Sequence, residues 1–130
     1  MTTLPSTCMV LFVRDVPRMT SFYCTVAAME LLHQESSYAI LRIQGFELVI
    51  HALYGEASLP YSNTETVAVR EDSYTKLCLP VTSIAIARAH ANELGGAIKS
   101  FSHEWAARGF RACDGHDPEG NVFQVRMLET

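Results

Sequence analysis

Within seven positions, "CDGHDPE" gathers Cys113, Asp114, His116, Asp117 and Glu119, side chains that can bind a metal or move a proton. A thiolate, an imidazole and three carboxylates this close suggest a zinc or hard-cation centre. The spacing argues otherwise. "DGHDPEG" does not fit the calcium-loop pattern D-x-[DN]-x-[DN]-G. "DPEG" instead fits a type I turn, with Asp first, Pro preset second and Gly fourth. His116 and Asp117 are therefore expected to be scaffold, with the acidic residues of "DPEG" shaping and solvating the turn. The turn leads into "NVFQVRML", and Gln124 becomes the residue of chemical interest there.

The elements that would position Gln124 come in two matching sets. "CMVLFV" at 8–13 is an apolar run, and Asp15 and Pro17 open a helical pattern that places Val16, Met19, Phe22, Tyr23 and Val26 on one face. "SYAILRI" and "FELVIHAL" follow as strands, divided by Gln44-Gly45. The order repeats with "KLCLPV", a helix capped by Ser83 and ended by Gly95-Gly96, then strands in "AIKSF", "RGFRAC" and "NVFQVRML". Val13 and Val81 hold equivalent places. The expected architecture is α+β, with two tandem βαβββ modules forming a curved, partly open mixed sheet around a cavity, helices outside. A single domain is expected, with module 1 at about 8–54, a linker at about 55–72 and module 2 at about 73–128.

Strand alternation sorts side chains by face. Met9, Leu11 and Val13 share an apolar face, as do Leu77, Leu79 and Val81, and Phe123, Val125 and Met127. The opposite faces are mixed. They carry Cys8 and Phe12, His51, Lys76 and Cys78, and Gln124, a sparse polar set of the kind that lines ligand pockets. Cys8 and Cys78 suit the role of small apolar fillers. Trp105 fits either packing or a stacking wall for an aromatic ligand. Arg111 and Arg126 are alternative anchors for an anion.

The duplicated pattern, with "VLFVRDVPRMTSFY" and "DPEGNVFQV", resembles the vicinal oxygen chelate superfamily, which includes glyoxalase I, bleomycin-resistance and fosfomycin-resistance proteins and extradiol dioxygenases. The resemblance runs from about residue 8 to residue 128. It implies that metal-dependent members would place His, Glu, His and Glu where this chain has Cys8, His51, Lys76 and Gln124. An ammonium offers no lone pair to a metal, and an amide oxygen is weaker than a carboxylate for hard ions. The reading is no cofactor; if a divalent metal did bind, His51, Gln124 and Cys8 would be its ligands.

The expected function is binding of a small organic molecule in a cavity, without the usual divalent metal. The alternative is a lyase, dioxygenase or transferase-type enzyme of the same superfamily. It would use a non-standard site of His51, Gln124 and Lys76, with His51 as base and Lys76 stabilising an oxyanion. The resemblance further implies a homodimer, often with the site built from modules of both chains.

The totals narrow the partners. An apolar share of 48% against 18% charged describes an ordinary globular chain, and 130 residues suffice for one core. A net charge of −4 argues against nucleic acid or an anionic membrane as partner. The beginning lacks a signal-peptide pattern, and no stretch is long enough to cross a membrane. Four cysteines without a C-x-x-C predict free thiols and a reducing cytoplasm.

Overall fold

A computed structural model of the chain describes residues 4–54 and 67–129. Module 1 comprises β1 (Thr7–Val13), α1 (Val16–Val26), β2 (Glu30–Gln34), β3 (Tyr38–Ile43) and β4 (Phe46–Ala52). Module 2 comprises β5 (Leu77–Pro80), α2 (Ile84–Glu93), β6 (Ala97–Ile98), a 3-10 turn at Phe101–His103, β7 (Trp105–Ala107), β8 (Phe110–His116) and β9 (Val122–Leu128). The helices start where side-chain oxygens replace missing backbone acceptors. Asp15 accepts from the Arg18 N–H at 3.1 Å and Ser83 from the Ile86 N–H at 3.2 Å. Gln44 and Gly45, both at positive φ, make the tight turn between β3 and β4.

Each module forms its own sheet. The first has the order β1-β4-β3-β2, the second β5-β9-β8-β6, with β7 paired to β8. In each, the opening strand lies parallel to the last, as a helical crossover requires. β1 and β5 are thus both edge strands. In the second module "AIKSF" forms only a two-residue strand, and Trp105 lies in an added strand, β7.

The apolar faces of both sheets and both helices share one core. Phe22 and Tyr23 of α1 are fully buried, and their rings meet Phe123 of β9 at 5.8 and 6.1 Å between centroids. Gly96 lets this packing close, because a Cβ there would stand 2.6 Å from the Phe22 ring.

The turn after β8 behaves differently from the solvated turn expected. Asp117 and Glu119 are 0% and 3% exposed. Asp117 accepts the Tyr23 hydroxyl at 2.7 Å and the backbone N–H groups of Glu119 and Asn121 at 2.9 and 3.0 Å. Burial raises the Asp117 carboxyl above its ordinary value, against the pull of these donors. Glu119 accepts the backbone N–H of Arg14 at 2.8 Å and that of Asp15 at 2.8 Å. The turn of module 2 therefore holds the β1–α1 junction of module 1. The acids are buried because the other module covers them.

Replacing Glu119 by Ala leaves two backbone donors without their charged acceptor and should cost about 2–3 kcal/mol. Urea unfolding measures it. A loss below about 0.5 kcal/mol, the level of an ordinary surface change, would show that the junction does not depend on this carboxylate.

Candidate functional site

The mixed faces carry two separate sets of residues. On the first sheet, the register sets Phe12 beside His51 and His51 beside Tyr38. The His51 ring is 5.6 Å from Phe12, 6.2 Å from Tyr38 and 5.6 Å from Tyr54. Phe12 is 50% exposed, and Cys8 is exposed on the same face. His51 Nδ1 lies 2.9 Å from the Ala52 carbonyl. A carbonyl only accepts, so Nδ1 carries the proton and the neutral ring keeps its lone pair on Nε2. That nitrogen faces the Tyr54 hydroxyl at 3.4 Å.

On the second sheet, Gln124 is paired with Cys78 on one side and Asp114 on the other. The Gln124 amide donates to Asp114 Oδ1 at 3.2 Å, and its oxygen accepts from Arg126 Nε at 2.7 Å. Lys76 Nζ donates to Asp114 Oδ2 at 3.1 Å. Arg126 also reaches Cys78 Sγ at 3.6 Å and lies over the Phe110 ring at 4.6 Å. The result is a chain of groups, Lys76–Asp114–Gln124–Arg126, with two cations and one carboxylate. Trp105 shares this face through its pairing with Ala112 and is 39% exposed.

Arg111 is placed elsewhere. It is paired with Met127 and lies on the core side of β8, not beside Gln124. Its Nε donates to Glu104 at 2.6 Å, and Arg88 of α2 donates to the other Glu104 oxygen at 2.6 Å. Burial alone would raise the Glu104 carboxyl. Its bonds to the two guanidinium groups outweigh that and hold it below the ordinary range. Cys113, buried on the same side, has its thiol pushed up by burial.

Within one chain the two sets stay apart. Among the described residues, no hydrogen bond, ion pair or ring contact links Cys8, Phe12 or His51 to Lys76, Cys78 or Gln124. The three main cavities, of about 650, 280 and 50 Å³, hold no residues of both sets. The expected enclosure of the mixed faces is therefore not formed by a single chain in the described residues. Nor does any group of three or more His, Cys, Asp or Glu side chains among them have the arrangement to hold a metal ion. The donor chemistry agrees with this. At the position where a metal-binding carboxylate is expected, an amide oxygen already accepts from a guanidinium, and Lys76 brings a further positive charge.

Asp114, Arg126 and Tyr38 belong to these sets and were not singled out as site residues by the sequence, where Arg126 entered only as an alternative anchor. Counting outward from the "DPEG" turn sets Asp114 opposite Gln124 and Ala112 opposite Arg126, which would have placed both charged residues.

Two βαβββ modules with parallel outer pairs give this chain the fold of the vicinal oxygen chelate proteins. Similar solved structures include an integron cassette protein from the mobile metagenome of V. cholerae. It is 21% identical, with a TM-score of 0.63, over 99% of this chain and 98% of that one. Fosfomycin resistance protein FosX from Listeria monocytogenes, complexed with Mn(II) and sulfate ion, is 17% identical, with a TM-score of 0.64, over 99% and 93% of the two chains. A glyoxalase/bleomycin resistance protein/dioxygenase family enzyme from Burkholderia phytofirmans PsJN is 15% identical, with a TM-score of 0.66, over 95% and 98%. At these identities the likeness establishes the fold. No family model and no curated protein matches the sequence.

The two arginines on opposite sides of β8 and β9 should respond differently to truncation. Arg111→Ala removes a donor from a buried carboxylate and should lower unfolding free energy by about 1–3 kcal/mol. Arg126→Ala, which removes a donor from a neutral amide oxygen, should cost less, about 1 kcal/mol. Chemical denaturation of both variants gives the ranking, and the reverse order would contradict the placement of Arg111 under α2.

Proposed function

We propose that the chain binds a small organic molecule in a cavity completed by a second copy, without the usual divalent metal. The observation that carries this reading is the state of Gln124. Its oxygen is engaged by Arg126 and its amide by Asp114, with Lys76 on the same carboxylate. Such a face attracts an anionic or strongly polar oxygen of a ligand, and it repels a cation. The open first sheet adds Phe12, Tyr38 and His51 as a ring-lined surface suited to an apolar or planar body.

A homodimer would fit the same reading from another side. Among the described residues, Phe12 on the first mixed face is 50% exposed and Trp105 on the second 39% exposed, Gln124 is buried, and β1 and β5 end the strand orders of their sheets. A copy related by a two-fold axis would set the first sheet of one chain against the second sheet of the other, twice over. Cys8, Phe12 and His51 would then share a cavity with the partner's equivalent of the Gln124 face. No helix among the described residues is long and apolar enough to cross a membrane.

Elemental analysis of protein purified without chelator should find substoichiometric metal, and calorimetric titration with Mn(II) should show no saturable binding. Lys76→His combined with Gln124→Glu should introduce such binding, by supplying a lone pair and a carboxylate. Stoichiometric metal in the unaltered protein would overturn the metal-free reading.

A second reading, catalysis, is favoured by the 2.9 Å contact between His51 Nδ1 and the Ala52 carbonyl. With Nδ1 donating to the Ala52 carbonyl, Nε2 is a preset proton acceptor on the open face. Lys76 would steady a developing oxyanion in a shared cavity. Long-range proton–nitrogen NMR correlations of the neutral ring should show the Nδ1–H form. The Nε2–H form would remove the base on which this reading depends.

A further inference from the structure

One cavity among the described residues lies away from His51 and is built by both modules of one chain. It has a volume of about 650 Å³, within the range of small-molecule sites. One wall is the end of α1 and the turn after β3, with Thr25, Val26, Ala27, Ala28, Ile43 and Gln44. The other is the end of β5, the start of α2 and the end of β9, including Val81, Ile86, Ala87 and Met127. Ile86 is 58% exposed and Leu128 81% exposed, so the apolar lining opens to solvent. The cavity shares Pro80, Phe110, Arg126 and Leu128 with the Gln124 face.

The charges are one-sided. The lining contains Arg126 and His90 and no Asp or Glu. Arg126 spends Nε on Gln124 and Nη2 on Cys78, while Nη1 makes no hydrogen bond among the described residues. A ligand with an apolar body and a single carboxylate or similar anion meets both requirements: burial along the walls and a charge-assisted bond at the rim.

We propose that this cleft is a binding site for an amphipathic organic monoanion, away from His51 and adjoining the Gln124 face. The ligand lies between the two modules with its apolar part against Val81, Ala87 and Met127 and its anionic end at Arg126. Because the same guanidinium holds the Gln124 oxygen, occupancy here is felt at the second sheet's open face.

Octanoate and 1-octanol serve as probes, titrated at neutral pH by calorimetry and by amide chemical shifts. Octanoate should bind about tenfold more tightly than the alcohol, with shifts concentrated around residues 25–28, 81–87 and 126–128. Arg126→Gln should bring octanoate down to the affinity of the alcohol. Ile86→Glu, on an exposed helix position that accepts Glu well, should abolish octanoate binding without lowering the melting temperature. Four outcomes each overturn the proposal: equal affinity of the two probes, no binding by either at millimolar concentration, an Ile86→Glu variant that binds octanoate unchanged, or shifts centred on Cys8 and His51. A dimer that Ile86→Glu splits, with no octanoate binding in the unaltered protein, also overturns it and makes the cleft an interface between copies.

Discussion

Two carboxylates without access to solvent join the halves of this molecule, and much of the remaining geometry follows from where they sit. Asp117 and Glu119 belong to a tight turn of the second module, yet their partners include the Tyr23 hydroxyl of α1 and the backbone N–H groups of Arg14 and Asp15. Burying ionised groups costs free energy unless donors surround them. Here the donors come from the exact place where the first strand hands over to the first helix. That contact fixes the direction in which α1 leaves β1, and with it the packing of Phe22 and Tyr23 on Phe123.

Once the helices are committed to a shared core, each sheet has only one face left. Those outward faces hold the chemistry: an imidazole among aromatic rings on one, and an amide between a guanidinium and a carboxylate on the other. They are built by the same folding unit repeated, and they carry different residue types. The first suits planar or apolar contact, the second polar oxygen. Neither is enclosed by the described residues of its own chain, and the small-molecule reading therefore rests on a second copy.

Much of this was legible in the sequence, for physical reasons that are local. Asp15 and Ser83 precede their helices by one residue, Gln44-Gly45 separates two alternating runs, and alternation alone assigned Cys8, His51, Lys76 and Gln124 to the outward faces. What escaped the sequence depends on distant partners. Nothing near "DPEG" tells that the other module covers it, so its acids read as solvated. Arg88 of α2, Glu104 just before β7 and Arg111 of β8 come from separate stretches, and their triad exists only after α2 docks. Alternation also says which side a residue takes, but not whether two such sides come to face each other.

The shared core has a consequence for how such a chain can vary. A repeat usually suggests a unit able to stand alone and to be copied, shortened or recombined. In this molecule Phe22 of one repeat is buried against Phe123 of the other, and a Cβ at Gly96 would meet both the Phe22 ring and the His116 carbonyl. Each half therefore supplies the interior that the other lacks. The duplication survives as a pattern, while the apolar faces of its two products are buried in one shared core.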